Sequence, residues 1–316
     1  MSHALERRTL GRSQIEVSSL GIGTSPLAGM PELYGYDVGT DTAVDTVLAV
    51  FDSAITFLDT SNGYGADGAS EKRVGEAIRR AGGLPEGFVL QTKVDPDPVT
   101  HDFSGARVRA SFAESLERLG LRRLELLALH DPEFMAQDPF AVGGAVEALI
   151  ALRDEGHVDH LAVAGGSVRV MGEFLAIGEF DVLLNHSRFT LLDRSAEPLF
   201  VLARESRIGV INAAPYGGGM LSKGPDEQSK YGYGDRDAAI AESARAMQTA
   251  CARHGVPLAA AALQFSARSP LIDTTVVGLS SRKRVTQTLE LLAVDVPDEL
   301  WDELERLVPP REGWLD

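Results

Sequence analysis

FLDTSNGYG, residues 57–65, begins as a short apolar run and turns polar at Asp59, with Tyr64 five positions further on. The same switch recurs at LQTKV (90–94), where Lys93 stands at the end of the run, and at LALHDP (127–132), where His130 does. Each run is short and bounded by polar residues, which reads as a buried strand. In a barrel of alternating strands and helices, residues at the C-terminal strand ends converge on the face that carries chemistry. An acid, a phenol, an ammonium and an imidazole would then meet at one place.

Working outward, apolar runs occur at 19–23, 55–58, 88–92, 124–129, 158–163, 181–185, 208–212 and 274–278. Stretches of helical period lie between and after them, at 41–53, 70–81, 106–119, 141–155, 167–177, 195–206, 237–254 and 281–291. Eight βα units in series predict an α/β protein with a closed parallel (β/α)8 TIM barrel, one domain over residues 1–316. RTLGRSQIEV (8–17) reads as an N-terminal β-hairpin able to close the barrel bottom. PDELWDELERLV (297–308) reads as an extra amphipathic C-terminal helix, introduced by Pro297 and ended by Pro309-Pro310. Asp41 and Ser70 are expected N-caps, and Gly120 and Gly156 expected helix stops. The loops 94–105 and 213–236 are long. Loops of that length inside a compact domain are usually functional, so substrate selection is expected there, in 131–140 and in the tail REGWLD (311–316).

Composition narrows the partners. The 316 residues carry a net charge of −16, with 44% apolar and 24% charged residues. A nucleic-acid partner would require clustered Lys and Arg, so none is expected, nor an anionic membrane surface. MSHALERRTLG lacks the apolar core of a signal peptide, and no window approaches a membrane span, so a cytoplasmic location is expected. The single cysteine, Cys251, excludes an internal disulfide and reads as a small core residue. The 7 histidines show no paired ligand spacing, so no metal is expected. Oligomeric state is not legible.

The four residues suggest proton transfer. A free tyrosine ionises near ~10, too high for fast exchange at neutral pH. Lys93 is expected to lower that value by stabilising the phenolate, with Asp59 holding the ammonium in place. His130 would orient a substrate oxygen toward Tyr64. Hydride transfer at a carbonyl or alcohol carbon, with Tyr64 as general acid and base, suits this set. None of the four is a nucleophile with an adjacent base, so acyl transfer is poorly supported.

Asp59, Tyr64, Lys93 and His130, in that order at those strand ends, together with RTLGRSQIEVSSLGIGT (8–24), resemble the aldo-keto reductase superfamily over essentially the whole chain. FTLLDR (189–194) and GGGMLSKG (217–224) are similar to the aldose 1-dehydrogenase branch, which includes L-fucose dehydrogenase-like and pyridoxal 4-dehydrogenase-like members. The resemblance implies oxidation of a sugar C1 to a lactone with NADP or NAD, on a small carbonyl or sugar substrate. A general NADPH-dependent aldehyde or ketone reductase remains open. So does a nicotinamide-binding regulatory subunit, and, remotely, a non-redox barrel enzyme.

GIGTSP (21–26) has Pro26 where the third glycine of a dinucleotide fingerprint belongs, which argues against a Rossmann site. The resemblance implies a cofactor laid across the barrel's catalytic face instead, at Gly23, Thr24 and Asp59. TVVGLSSRKRVTQTLE (275–290) is similar to the family's adenosine-phosphate segment, which assigns Gly278, Ser280 and Arg284 to the phosphates. Arg282 and Lys283 add charge, and cations at a helix N-terminus favour an anionic ligand. The sequence departs from the family elsewhere. Its Ser-Asn pair becomes Ala164 and Gly165, its strand-six Gln falls at His186, its stacking aromatic at Ala213, and its Glu-Asn adenine contact at Gln287 and Thr288. Tyr216 and the backbone of Gly217–Gly219 are expected to compensate, although a lid hinge is an equal reading of the glycines.

Overall fold

The computed structural model describes residues 5–232, 234 and 238–316. A hairpin of β1 (Arg7–Thr9) and β2 (Glu16–Ser18) opens the chain, antiparallel with Arg8 opposite Val17. Eight parallel strands follow: β3 (Leu20–Gly23), β4 (Phe57–Asp59), β5 (Val89–Val94), β6 (Leu124–His130), β7 (Val158–Gly165), β8 (Val182–His186), β9 (Gly209–Ala213) and β10 (Thr274–Gly278). They pair in chain order, and β10 bonds both β9 and β3, which closes the barrel.

Successive side chains on a strand point to opposite faces, and here the two faces have different cores. Phe57, Val89, Leu126, Ala128, Ala162, Val182, Leu184 and Ile211 pack together in the barrel interior. Leu10, Ile15 and Val17 of the hairpin join this cluster and close it from below. The alternate residues Leu58, Leu90, Leu127, Leu161 and Leu183 pack outward among the helices. Continuing the inward parity toward the C-terminal ends reaches Asp59, Lys93, His130, Ala164, His186 and Ala213. The site residues therefore extend the core rows to the barrel mouth.

The expected helices occur with shifted ends, joined by the short Pro31–Tyr34 and Met220–Lys223 and by the longer Leu258–Ala267. Ala238–Arg253 fills the stretch expected at 237–254, whose first residue lies outside the described residues. Leu258–Ala267 is a helix that apolar periodicity does not reveal, because LAAAALQFSA has almost no polar face and is buried on most sides. Asp298–Arg306 is the expected C-terminal helix. Neither expected N-cap serves as one. Gly39 and Gly68 hold those positions, and the fully buried Ser70 hydroxyl instead donates to Thr24 Oγ1 at 2.8 Å. Gly120 ends its helix as expected, at φ 71°. Within the expected loop 213–236, Gly217–Gly219 and Met220–Lys223 form short helical turns. Tyr233, Asp235 and Arg236 of that loop lie outside the described residues, as does His3. The tail is tied down: Leu315 N–H donates to Asp193, and Trp314 Nε1 donates to the Pro309 carbonyl. Cys251 is buried and free. Among the described residues, no helix is long and apolar enough to cross a membrane.

Candidate active site at the barrel mouth

Lys93 is 1% exposed and Asp59 4%. A buried ammonium is tolerated only when paired and hydrogen-bonded, and Lys93 Nζ is fully engaged. It donates to Asp59 Oδ2 at 2.7 Å, to the Thr60 carbonyl at 2.8 Å and to Tyr64 Oη at 3.0 Å. Gln91, two positions earlier on the same strand face, donates to the other Asp59 oxygen at 2.7 Å. Three of the four sequence-predicted residues thus form one hydrogen-bonded chain. His130 joins them edge-on to the Tyr64 ring, with centroids 5.5 Å apart.

The structure reverses one electrostatic expectation. Burial, then the Asp59 charge, push the Tyr64 hydroxyl well above its ordinary value of 10.0. The Lys93 charge is largely answered by Asp59, so its benefit to a phenolate is small. Tyr64 stands as a neutral phenol that accepts from an ammonium and keeps its own proton to give.

Sequence reasoning missed the acids around His130. Asp95 Oδ1 lies 2.6 Å from His130 Nδ1, and Asp131 Oδ2 lies 3.7 Å from Nε2. Burial disfavours the imidazolium, but Asp95 and Asp131 outweigh it and raise His130 above 6.5. Asp131 itself, despite burial, is held far below the carboxylate range by His130 and His186. The available signal for Asp95 was strand parity, since Gln91, Lys93 and Asp95 alternate on one face. No such signal marks Glu133, whose carboxylate reaches back from the β6 loop. Its Oε1 accepts from Gly166 N–H and, at 3.0 Å, from Ser167 N–H, at the start of helix Val168–Ala176.

The expected cofactor positions divide. Thr24 is wholly buried and braces the site from behind, its N–H and hydroxyl both directed to the Asp59 carbonyl. Thr288 is 4% exposed and donates to the Arg284 carbonyl within its own helix. Both hydroxyls are engaged within the protein. Gly23 pairs with Gly278 and Asp59 in the barrel wall. The Ala164 carbonyl accepts from Asp131 N–H, and the Gly165 carbonyl from Asn185. A Cβ at Gly165 would lie 2.5 Å from Glu133 Oε2, so the missing side chain makes room for that carboxylate. His186 lies beside Asp131, with Nε2 to Oδ1 at 3.7 Å. At Gly217 a Cβ would meet the Tyr231 ring at 2.1 Å, so packing as well as its φ of +57° requires glycine.

The structure fits a dinucleotide best at the phosphate end. Helix Arg282–Leu292 is capped by Ser281 rather than Ser280, and that cap makes no side-chain bond to the first turn. Arg284 N–H donates to the Ser281 carbonyl at 2.9 Å, and the helix N-terminus as a whole still favours an anion. Lys283 and Arg284 are exposed beside them, whereas Arg282 turns away to Asp45 at 3.2 Å. Ser280 hydrogen-bonds Tyr36, and Gln287 is half-buried on the following turn. Tyr216, on the loop after β9 ahead of the left-handed Gly217–Gly219, presents a buried hydroxyl with no hydrogen-bond partner. A cavity of ≈ 260 Å³ opens between the loops after β5 and β6. Pro96, Phe103, Phe134 and Met135 make it mainly apolar, with Asp95, His101, His130 and Asp131 as its polar groups.

A closed parallel barrel with a buried acid–ammonium–phenol chain at its C-terminal mouth is the build of a barrel enzyme. Residues 19–309 match the model of the Aldo/keto reductase family, and the chain belongs to that family. It is 31% identical to a D-threo-aldose 1-dehydrogenase of Pseudomonas sp, covering 93% of this chain and 96% of that one. It is 30% identical to the L-galactose dehydrogenase of Arabidopsis thaliana over 97% and 95%, and 28% to the pyridoxal 4-dehydrogenase of Microbacterium luteolum over 95% and 97%. The fold is shared with the aldo-keto reductase AKR11C1 from Bacillus halodurans in its holo form, at a TM-score of 0.79, 23% identity and 99% coverage of both chains. The protein is an NAD(P)-dependent oxidoreductase.

Proposed function

We propose that the protein, acting as one barrel domain over residues 1–316, moves hydride between a nicotinamide and C1 of an aldose, oxidising the sugar to its lactone. The carrying observation is the chain Asp59–Lys93–Tyr64 at the mouth, with His130 beside it. The dehydrogenase names of the three relatives support the direction, and the two named for sugars support the substrate. The nicotinamide supplies or takes the hydride when bound. Lys93 and Arg284, at opposite ends of the groove, fix the Tyr64 hydroxyl and the phosphates. During oxidation Tyr64 Oη must first release its own proton to solvent and then, as the phenolate, takes that of the C1 hydroxyl; during reduction the phenol gives its proton to the carbonyl oxygen. His130 holds the substrate oxygen against Tyr64. Because Tyr64 resists ionisation, oxidation should quicken as pH rises.

One observation favours a second reading, reduction of apolar aldehydes with NADPH. The cavity wall is mainly apolar, and Tyr64 rests as a proton donor. Absorbance of reduced nicotinamide separates the two. NAD or NADP reduced by one member of an aldose panel, or by pyridoxal, at mildly alkaline pH supports the dehydrogenase. NADPH consumed by simple aldehydes, with all sugars silent, would replace it by the reductase.

A further inference from the structure

We propose that Asp95 is a positioning residue for this reaction, binding the Tyr64 loop to His130 and leaving His130 a hydrogen-bond donor to substrate only as the imidazolium. This role rests on the hydride-transfer reading above. The carboxylate of Asp95 joins two otherwise separate parts of the site. Its Oδ1 meets His130 Nδ1 at 2.6 Å. Its Oδ2 accepts from the Ser61 hydroxyl and, at 2.7 Å, from Gly63 N–H, next to Tyr64. A Cβ at Gly63 would fall 2.8 Å from Asp95 Cγ, so the loop lies directly on the carboxylate. Asp95 is held in turn through its backbone, whose N–H donates to Ser111 and whose carbonyl accepts from Arg107.

These contacts decide the tautomer. An ionised carboxylate only accepts, and Asp95 is kept ionised in spite of burial by His130, Ser61 and Gly63. Nδ1 therefore carries a proton in every state of the ring. The neutral ring then offers only a lone pair at Nε2, facing the cavity. Donation to a substrate oxygen requires the second proton. The titratable groups around the ring come from four strand ends: Lys93 and Asp95 at the end of β5, Asp131 after β6, Asp59 behind Lys93 on β4, and His186 of β8 against Asp131. Tyr64 covers one ring edge. The two nearest acids prevail over Lys93, so the imidazolium persists above its ordinary range.

Ring-nitrogen NMR on the protein without added ligand tests this directly, alongside the pH profile of kcat/KM for aldehyde reduction. In the wild type the neutral His130 ring should carry its proton on Nδ1; a neutral ring protonated on Nε2 overturns the proposal without any variant. In Asp95→Asn the titration midpoint should drop by about 1 pH unit or more, the usual reach of an adjacent opposite charge. The alkaline fall in kcat/KM should move down with it. In Ser111→Ala, which removes only the acceptor of the Asp95 backbone N–H and leaves the Asp95–His130 pair, the midpoint should stay in place. If Asp95→Asn loses activity with the midpoint unchanged, Asp95 is only a scaffold and the proposal fails. A wild type that turns over neither sugar nor aldehyde overturns the hydride-transfer reading instead, while the tautomer remains readable.

Discussion

The barrel mouth has two arcs built on opposite plans. The ends of β4, β5 and β6 carry long polar side chains: Asp59 and Lys93 are buried and bonded to each other, and His130 is half-buried and bonded to Asp95. The ends of β7 and β9 carry Ala164, Gly165 and Ala213, and the group that fills the space at Gly165 comes from elsewhere, Glu133 of the β6 loop. In the first arc charge burial enforces geometry, because no member can lose its partner cheaply. In the second, shape is set by small residues and by what reaches over them. Substitutions should therefore act through proton transfer in the first arc and through packing or cofactor affinity in the second.

The largest effect should come from Tyr64→Phe. Loss of the general acid and base should lower turnover by ~10²–10⁴-fold, while nicotinamide fluorescence still reports cofactor binding. Near-normal turnover would remove Tyr64 from the proposed mechanism. Lys93→Met should also abolish turnover, and in addition strand the buried Asp59 charge at a cost of ~3–5 kcal/mol. Adding Asp59→Leu should restore much of the melting temperature and none of the activity. A double variant as unstable as the single one would mean that the pair is not what holds this arc.

The first arc also sets a pH dependence of stability. His130 has a folded value above 6.5. Its contribution is therefore complete below the unfolded value and disappears as pH rises through the folded one, at about 1.4 kcal/mol for each pH unit separating the two values. Asp95 and Asp131, held below 3.8, act oppositely and lose their contribution as pH falls through their folded values. Denaturant midpoints between about pH 6 and about pH 9 should decline for the wild type and flatten in His130→Gln. A decline of equal size in that variant would assign it to other groups.

These arcs differ in legibility for the same reason. Asp59, Lys93 and His130 interrupt apolar strands at the inward parity, so a one-dimensional pattern exposes them, and Tyr64 follows by spacing. Asp95 obeyed the same parity but sat beyond the apolar run and read as loop. Glu133 acts across the barrel mouth from a 3-10 turn, and no periodicity encodes that reach. The barrel was readable from eight repeated runs, whereas helix Leu258–Ala267 was not, having no polar face to set a period. The Tyr64 proton affinity depends on burial and on how Asp59 shares the Lys93 charge, quantities that spacing does not contain. Alignment by resemblance likewise does not contain the local bonding of Thr24 and Thr288, whose hydroxyls donate to the Asp59 and Arg284 carbonyls.

In the second arc effects should be smaller and selective. If Arg284 reads a 2′-phosphate, Arg284→Ala should weaken NADP on the order of 10–100-fold, the range of a charge-assisted hydrogen bond, and NAD little. Equal losses for both cofactors would reject that role.

The smallest change tests the packing plan itself. In Gly165→Ala the new methyl would stand 2.5 Å from Glu133 Oε2 and 2.7 Å from Met171 Cε. The backbone can accept alanine there, since Gly165 is not among the positive-φ glycines. Glu133 must then withdraw from Gly166 and Ser167, and helix Val168–Ala176 loses the acceptor at its N-terminus. The expected cost is about 1 kcal/mol, that of a lost cap, with turnover altered only a few-fold. Glu133→Gln in the same background should then add little, because the contact is already broken. Additive losses from the two substitutions would mean that Glu133 and Gly165 act separately, and that the second arc is shaped by something other than the carboxylate folded over it.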